Sequence, residues 1–345
     1  MKKSRPYRAV TGALLLWFLL ATGAISAETE PDEAFEFDDT PTSSPLDHPK
    51  WFKESFLDLP DDMEEALAAG KRGIIVYFGQ RHCPYCQKLM EVNFGQEEIV
   101  TYTRKHFDLI PIDTRGVMDV TDFDGNTLSE HDYALREETQ FTPSLIFYNE
   151  EGKVALRLRG YYPPYKFLAA LEYVADDHYR NESFAGYLQR AEGSMAFEPG
   201  ELNEEPFFTP PPYALDRSRI AAGEPLAVFF EQGECHACDI LHAQPLQNPK
   251  ITHLLEKFEN VQLDIHADTP VLTPAGRRTT AKAWAQKLGL FYTPSIIFFD
   301  ESGGEIMRLD SVVQFFRLHQ VLSYIAGGDY KTEPSYLKWR AKQVR

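Results

Sequence analysis

The four cysteines of this 345-residue chain fall into two pairs of identical spacing, Cys83-Pro-Tyr-Cys86 and Cys235-His-Ala-Cys238. Such pairs can serve three kinds of chemistry. Four thiolates can hold zinc, with His82 and His236 close by in sequence. Zinc knuckles, however, usually lie roughly 15 to 20 residues apart, whereas Cys86 and Cys235 are 149 positions apart. A purely structural disulfide between residues three apart closes a very small loop, and it stabilises far less than the roughly 3 kcal/mol of a 15-residue loop. The third possibility is redox exchange. A cysteine on the first turn of a helix has its thiolate stabilised by the macrodipole and by unpaired backbone N–H groups. A second cysteine one turn later can attack a mixed disulfide and release the substrate. Redox exchange is the chemistry these pairs fit best. No glycine-rich phosphate loop or Ser-His-Asp arrangement accompanies them, and nothing in the sequence calls for a metal or a bound cofactor.

Placing a cysteine in that position takes a strand that ends just before it and a helix that starts on it. The runs Ile74 to Phe78 and Leu226 to Phe230 are short, apolar and rich in branched or aromatic residues, as buried strands are, and each leads into a CxxC. Cys86, Leu89, Met90 and Phe94 then fall at helical spacing up to Gly95, and in the second half Pro245 should end or kink the helix. The rest of the two segments also runs in parallel. "DLIPIDT" answers to "NVQLDIH", and "FTPSLIFYNEEGKVALRL" to "YTPSIIFFDESGGEIMRL". Cys83 precedes Pro143 by 60 residues and Cys235 precedes Pro294 by 59, so register is kept and the chain is an internal duplication. Each half reads as β, α, β, α, β, β, α. Helices are expected at about 128–139 and 279–288, strands at 144–148, 154–159, 295–299 and 305–309, and closing helices at about 165–176 and 314–325. Pro111 predicts an edge position for the strand ending at Asp113.

A strand, a CxxC opening a helix and a later Thr-Pro pair, all twice over, resemble the thioredoxin superfamily across nearly the whole chain. The resemblance implies an α/β fold of two tandem thioredoxin-like domains, each a central mixed β-sheet flanked by helices. It implies Cys83 and Cys235 as nucleophiles and Cys86 and Cys238 as resolving thiols. Pro143 and Pro294 would be cis-prolines, with Thr142 and Thr293 offering backbone groups to an extended substrate peptide. Gly160 would line the peptide groove, a place taken in the second half by Ser311. Pro84 suits the first helical position, and a protonated His236 would stabilise the neighbouring thiolate and make its disulfide more oxidising. Tyr77 and Phe229 stand where thioredoxins commonly carry a buried acid, and Glu231 is expected to be exposed. The segment from Thr121 to Gly152 is similar to exported thioredoxin-like proteins of the sulfur-oxidation type.

The remaining sequence sets the context. A formal net charge of -17 excludes a nucleic-acid partner of the usual basic kind. Residues 1–27 read as a signal peptide, with Lys2, Lys3, Arg5 and Arg8 ahead of an apolar run and small residues at the expected cut after Ala27; an uncut membrane anchor is the alternative. Residues 28–47 read as an acidic flexible leader and 48–182 as the first thioredoxin-like domain. Residues 183–214 read as a Pro/Glu-rich linker, 215–336 as the second domain and 337–345 as a basic tail. The chain is therefore expected to be an exported, most simply periplasmic, thiol-disulfide oxidoreductase, a reductase or isomerase. Its partners would be exported proteins with cysteines or disulfides and a membrane electron donor. The alternative is a peptide-binding adaptor or chaperone with one redox-active domain.

Overall fold

The computed structural model describes residues 34–192 and 201–343, so the expected signal peptide lies outside the described residues. The first half runs α1 (Leu59–Ala68), β1 (Gly73–Gly79), α2 (Pro84–Lys88), α3 (Glu97–His106), β2 (Phe107–Asp113), β3 (Asp119–Thr121), β4 (Thr127–Ser129), α4 (Glu130–Arg136), β5 (Ser144–Asn149), β6 (Val154–Arg159), α5 (Pro164–Ala175) and α6 (Phe184–Glu192). The second runs β7 (Tyr213–Ala214), β8 (Leu226–Glu231), α7 (His236–Ala243), α8 (Pro249–Leu255), β9 (Glu259–Asp264), β10 (Pro270–Leu272), β11 (Arg278–Thr280), α9 (Ala281–Leu288), β12 (Ser295–Phe299), β13 (Glu305–Leu309), α10 (Phe315–Ala326) and α11 (Tyr336–Gln343).

Each half is built on a mixed four-stranded sheet, in the order β2-β1-β5-β6 and, running the other way, β13-β12-β8-β9. The edge pairs β1/β2 and β8/β9 are parallel, and the remaining pairs, including the central β1/β5 and β8/β12, are antiparallel. β1 and β8 are buried on both faces, which is why they read as unbroken apolar runs. β2 lies at an edge, where Pro111 costs no ladder bond. The two predicted hairpins share one device. Asn149 accepts the N–H groups of Glu151 and Lys153 at 3.1 and 2.9 Å, and Asp300 those of Ser302 and Gly304 at 2.7 and 2.9 Å.

Several expectations are corrected. The helix expected from 128 starts at Glu130, because Ser129 ends β4 and caps α4 by accepting the Asp132 N–H. After α2 the chain widens into a π-turn over Leu89–Asn93, which brings the buried Asn93 amide within 3.1 Å of the Tyr162 carbonyl. The part of the acidic leader that is described does not behave as a solvated tether. Ala34, Phe35 and Asp39 are buried, because this segment is packed between the two halves. The linker begins as helix α6, whose Phe184 and Leu188 join the core of the first half, and it ends in β7, paired with β10. The basic tail is largely helix α11, which buries Leu337 and Trp339. Arg190, Lys338 and Lys342 face out, Arg340 turns its guanidinium toward the first site, and aromatic and aliphatic residues between them anchor each segment.

The two halves meet through the loops that carry their Thr-Pro pairs. Phe141 packs against Tyr336 at 5.3 Å, and Tyr162 stacks on Phe291 at 5.4 Å with Tyr292 edge-on at 5.7 Å. The Val312 N–H donates to the Tyr161 carbonyl at 3.0 Å. Asp310 lies in the same stretch of chain. Burial raises its pKa from 3.8 to about 6, against the opposing pull of Arg308 and Arg159. A carboxyl raised in this way is penalised when it ionises. The penalty is absent below the unfolded value, grows as pH rises through the folded one and is complete above it. Asp310→Asn is therefore expected to stabilise the protein at pH 8 by at most about 3 kcal/mol and to change little near pH 4, as read by thermal denaturation. An equal shift at both pH values would sink the electrostatic account.

Candidate active sites

Cys83 caps α2 and Cys235 caps α7, each with an extended backbone, and each accepts at Sγ the N–H of its partner cysteine, Cys86 at 3.0 Å and Cys238 at 3.1 Å. Both pairs are disulfide-bonded, with Cα atoms 5.1 Å apart. Pro84 occupies the first helical position and is buried, whereas His236 is exposed at the corresponding place, with its ring edge-on to Phe35 at 5.4 Å.

The Thr142–Pro143 and Thr293–Pro294 peptides are both cis, and each faces the first cysteine of its half. Cys83 Sγ lies 3.4 Å from the Thr142 carbonyl oxygen and 3.3 Å from its hydroxyl; the matching distances from Cys235 to Thr293 are 3.8 and 3.7 Å. The fold thus gathers Cys83, Cys86, Pro84, Thr142 and Pro143 into one site and Cys235, Cys238, His236, Thr293 and Pro294 into another. Gly160 joins the first, donating its N–H to the Pro143 carbonyl at 2.9 Å.

The first site is covered by the rest of the chain. At Gly160, φ is +109°, and a Cβ there would collide with the Ser311 hydroxyl of the second half. Arg317, from the first turn of α10, donates Nη2 to the Thr142 carbonyl at 2.8 Å and lays its guanidinium 3.4 Å over the Tyr85 ring. Asp39 ties this cover down. It accepts the N–H groups of Phe316 and Arg317 at 2.7 and 2.8 Å and the Tyr85 hydroxyl at 2.8 Å. The space left between Cys83, Thr142, Tyr85, Arg317 and Arg340 is about 10 Å³, at the lower limit for a single water. The expectation that Thr142 and Gly160 stand ready for a substrate strand is therefore corrected for this conformation, since the second half occupies both. Cys83 keeps 2% of its surface exposed and Cys235 8%. Around Cys235, Ala237 and Thr293 are half-buried, where their counterparts Tyr85 and Thr142 are buried.

Glu231 is also corrected. It is fully buried at the end of β8, because α7 brings His242 onto it. His242 Nε2 lies 3.0 and 3.1 Å from the two Glu231 oxygens, its Nδ1 lies 3.0 Å from Glu205, and the Gln262 amide donates to Glu231 at 2.8 Å. Burial pulls the imidazole pKa down, but the two carboxylates outweigh it and the pKa is raised. In the first half the matching position is Gly79, and the Tyr77 hydroxyl fills the space that a Cβ would need. That hydroxyl has no hydrogen-bond partner among the described residues, and burial raises its pKa. Asp39, Arg317 and His242 carried no local signal, whereas Glu231 and Tyr85 were visible in or beside the motif and only their buried contacts were not. Aligning the repeats puts Arg317 opposite Lys166, but its contact across the halves depends on their packing.

Two mixed sheets, each presenting a cysteine pair to a cis-proline loop, define the class as tandem thioredoxin-fold proteins. The chain belongs to the thioredoxin-like domain family, whose model matches residues 59–175 and again 217–326, more than half of the sequence. No curated protein sequence matches it. Among solved structures it is similar to a thioredoxin-fold protein from Helicobacter pylori, at 21% identity over 42% of this chain and 94% of that one, with a TM-score of 0.34. It is similar to a thioredoxin from Thermus thermophilus, at 24% over 34% and 83%, with a TM-score of 0.27. A disulphide isomerase from Xylella fastidiosa Temecula1 is 21% identical over 44% of this chain and 99% of that one, with a TM-score of 0.24. No helix among the described residues is long and apolar enough to cross a membrane.

Proposed function

We propose that the chain is a thiol-disulfide oxidoreductase with two CxxC centres, in which Cys83 and Cys235 attack and Cys86 and Cys238 resolve. One observation carries the reading: each first cysteine caps a helix and holds its Sγ against the Thr carbonyl of a cis-proline loop. An N-capping sulfur accepts a backbone N–H, and that bond favours the thiolate over the thiol. The substrates are cysteines of other exported proteins, by reduction or isomerisation, with electrons supplied by a membrane donor. The site of action is the periplasm, reached through residues 1–27.

The test is the reduction potential of each pair in isolation, in Cys83→Ser/Cys86→Ser and Cys235→Ser/Cys238→Ser variants equilibrated in glutathione buffers and scored by thiol trapping. Two reversible and distinct potentials are expected, since Pro84-Tyr85 and His236-Ala237 surround the sulfurs so differently. A pair that never cycles would remove its half from the reaction. A second reading, a peptide-binding adaptor with one working centre, draws support from the filled groove beside Cys83. Under it, only one of the two variants would retain a measurable couple.

A further inference from the structure

Arg317 is a residue of the second half buried in the first half's site. Its guanidinium is sandwiched between the rings of Tyr85, at 3.4 Å, and Phe141, at 5.1 Å. Nη2 is spent on the Thr142 carbonyl, the oxygen that lies 3.4 Å from Cys83 Sγ. Nη1 is buried and has no hydrogen-bond partner among the described residues. An unsatisfied buried guanidinium N–H costs free energy, and an anion forming beside it would relieve that cost. Arg317 lines the same small cavity as Cys83, where such an anion can form.

We infer that Arg317 is a positioning residue that stabilises the Cys83 thiolate across the domain boundary, so that the second half sets the redox poise of the first. The inference rests on the redox reading above. When an external dithiol reduces the pair, the Cys83–Cys86 bond breaks and two electrons enter the protein. Cys83 leaves as thiolate, Cys86 takes one proton, and the dithiol closes to its own disulfide and releases the other. The new negative charge forms beside a carbonyl oxygen, which repels it. Arg317 holds that oxygen and supplies a cation with few competing waters, where Coulomb interactions are strong.

The other groups facing this spot are few. Among the described residues, Asp39 is the acid that acts on Arg317, and its oxygens are already held by two backbone N–H groups of α10 and by the Tyr85 hydroxyl. Tyr85 and Tyr336 are neutral phenols whose pKa values are raised by burial. Arg340 of α11 adds a second cation. Burial lowers the pKa of Arg317, with the neighbouring Arg340 acting in the same direction.

The experiment is run on the full chain carrying Cys235→Ser/Cys238→Ser, so that only the first pair cycles. The pKa of Cys83 is read from the pH dependence of iodoacetamide alkylation, and the potential from glutathione titration. Arg317→Gln is expected to raise the Cys83 pKa by about one unit and to shift the redox equilibrium about tenfold toward the disulfide, about 30 mV more negative. Arg317→Lys, which keeps the charge, is expected to restore most of both. If Arg317→Gln does not fold, Arg317→Met, uncharged and of similar length, replaces it with the same rise in the Cys83 pKa expected. A folded Arg317→Gln or Arg317→Met with unchanged Cys83 pKa overturns the inference. If the parent's first pair cannot be cycled at all, the redox reading of that site fails instead, and the two failures are told apart in the parent protein.

Discussion

Cys235→Ser is expected to lower the reduction of a protein disulfide such as insulin by about two orders of magnitude, and Cys83→Ser by less than about threefold. The asymmetry comes from access. Thiol-disulfide exchange needs the attacking sulfur, the substrate sulfur and the leaving sulfur in line, so a folded substrate must bring a strand up to the cis-proline loop. At the first site that approach is blocked by Arg317 on the Thr142 carbonyl, by Ser311 against Gly160 and by Asp39, which holds the first turn of α10 in place. At the second site Thr293, Ala237 and His236 all keep exposed surface. A small dithiol needs no groove and is expected to reduce both pairs. Comparing insulin with dithiothreitol in the two single variants checks this directly. Equal losses with insulin would mean that the halves separate in solution and that the cover over Cys83 does not persist.

What the sequence made legible was whatever is specified within one half. The sheets, the CxxC at the head of a helix and the Thr-Pro loop follow from apolar runs, from residues that cap and turn, and from register kept through a duplication. Asn149 and Asp300 could be read as hairpin residues because the chain they bind is two to four residues away. What was not legible depends on partners that arrive from far along the chain. Asp39 reads as one acid in an acidic leader until α10, some 277 residues later, offers its backbone N–H groups. Glu231 reads as a polar residue at a strand end until His242 folds back over it. Arg317 sits in a helix whose apolar stripe predicts burial of its neighbours, and only the packing of the halves turns its guanidinium onto Thr142. Polar residues read as solvated by default, so a buried polar network is the feature that local pattern conceals most fully.

The largest stability effect is expected from His242→Leu. The imidazole lies between two carboxylates, with Glu231 fully buried and Glu205 nearly so, and both have their oxygens within 3.1 Å of its nitrogens. Removing it leaves Glu231 with the Gln262 amide as its one remaining side-chain donor among the described residues. Breaking a buried ion pair from one side typically costs about 3–5 kcal/mol, because the surviving charge keeps its desolvation penalty and loses its partner. The pH dependence separates charge from packing. The His242 pKa is raised in the folded protein above its ordinary value of 6.5, so its ionic contribution is complete below that value and is lost as pH rises through the folded one. Urea unfolding is therefore expected to show the full deficit near pH 6 and a smaller one at pH 9. Equal deficits at the two pH values would mean that Leu fails for reasons of shape, and the bridge would have no electrostatic role. A pH-dependent deficit would have a consequence for the site as well. Glu231 stands four residues before Cys235 and His242 four after Cys238, so the bridge closes both ends of the segment that holds the second CxxC. Loosening it would release the Cys235–Cys238 pair, on which turnover of protein disulfides depends.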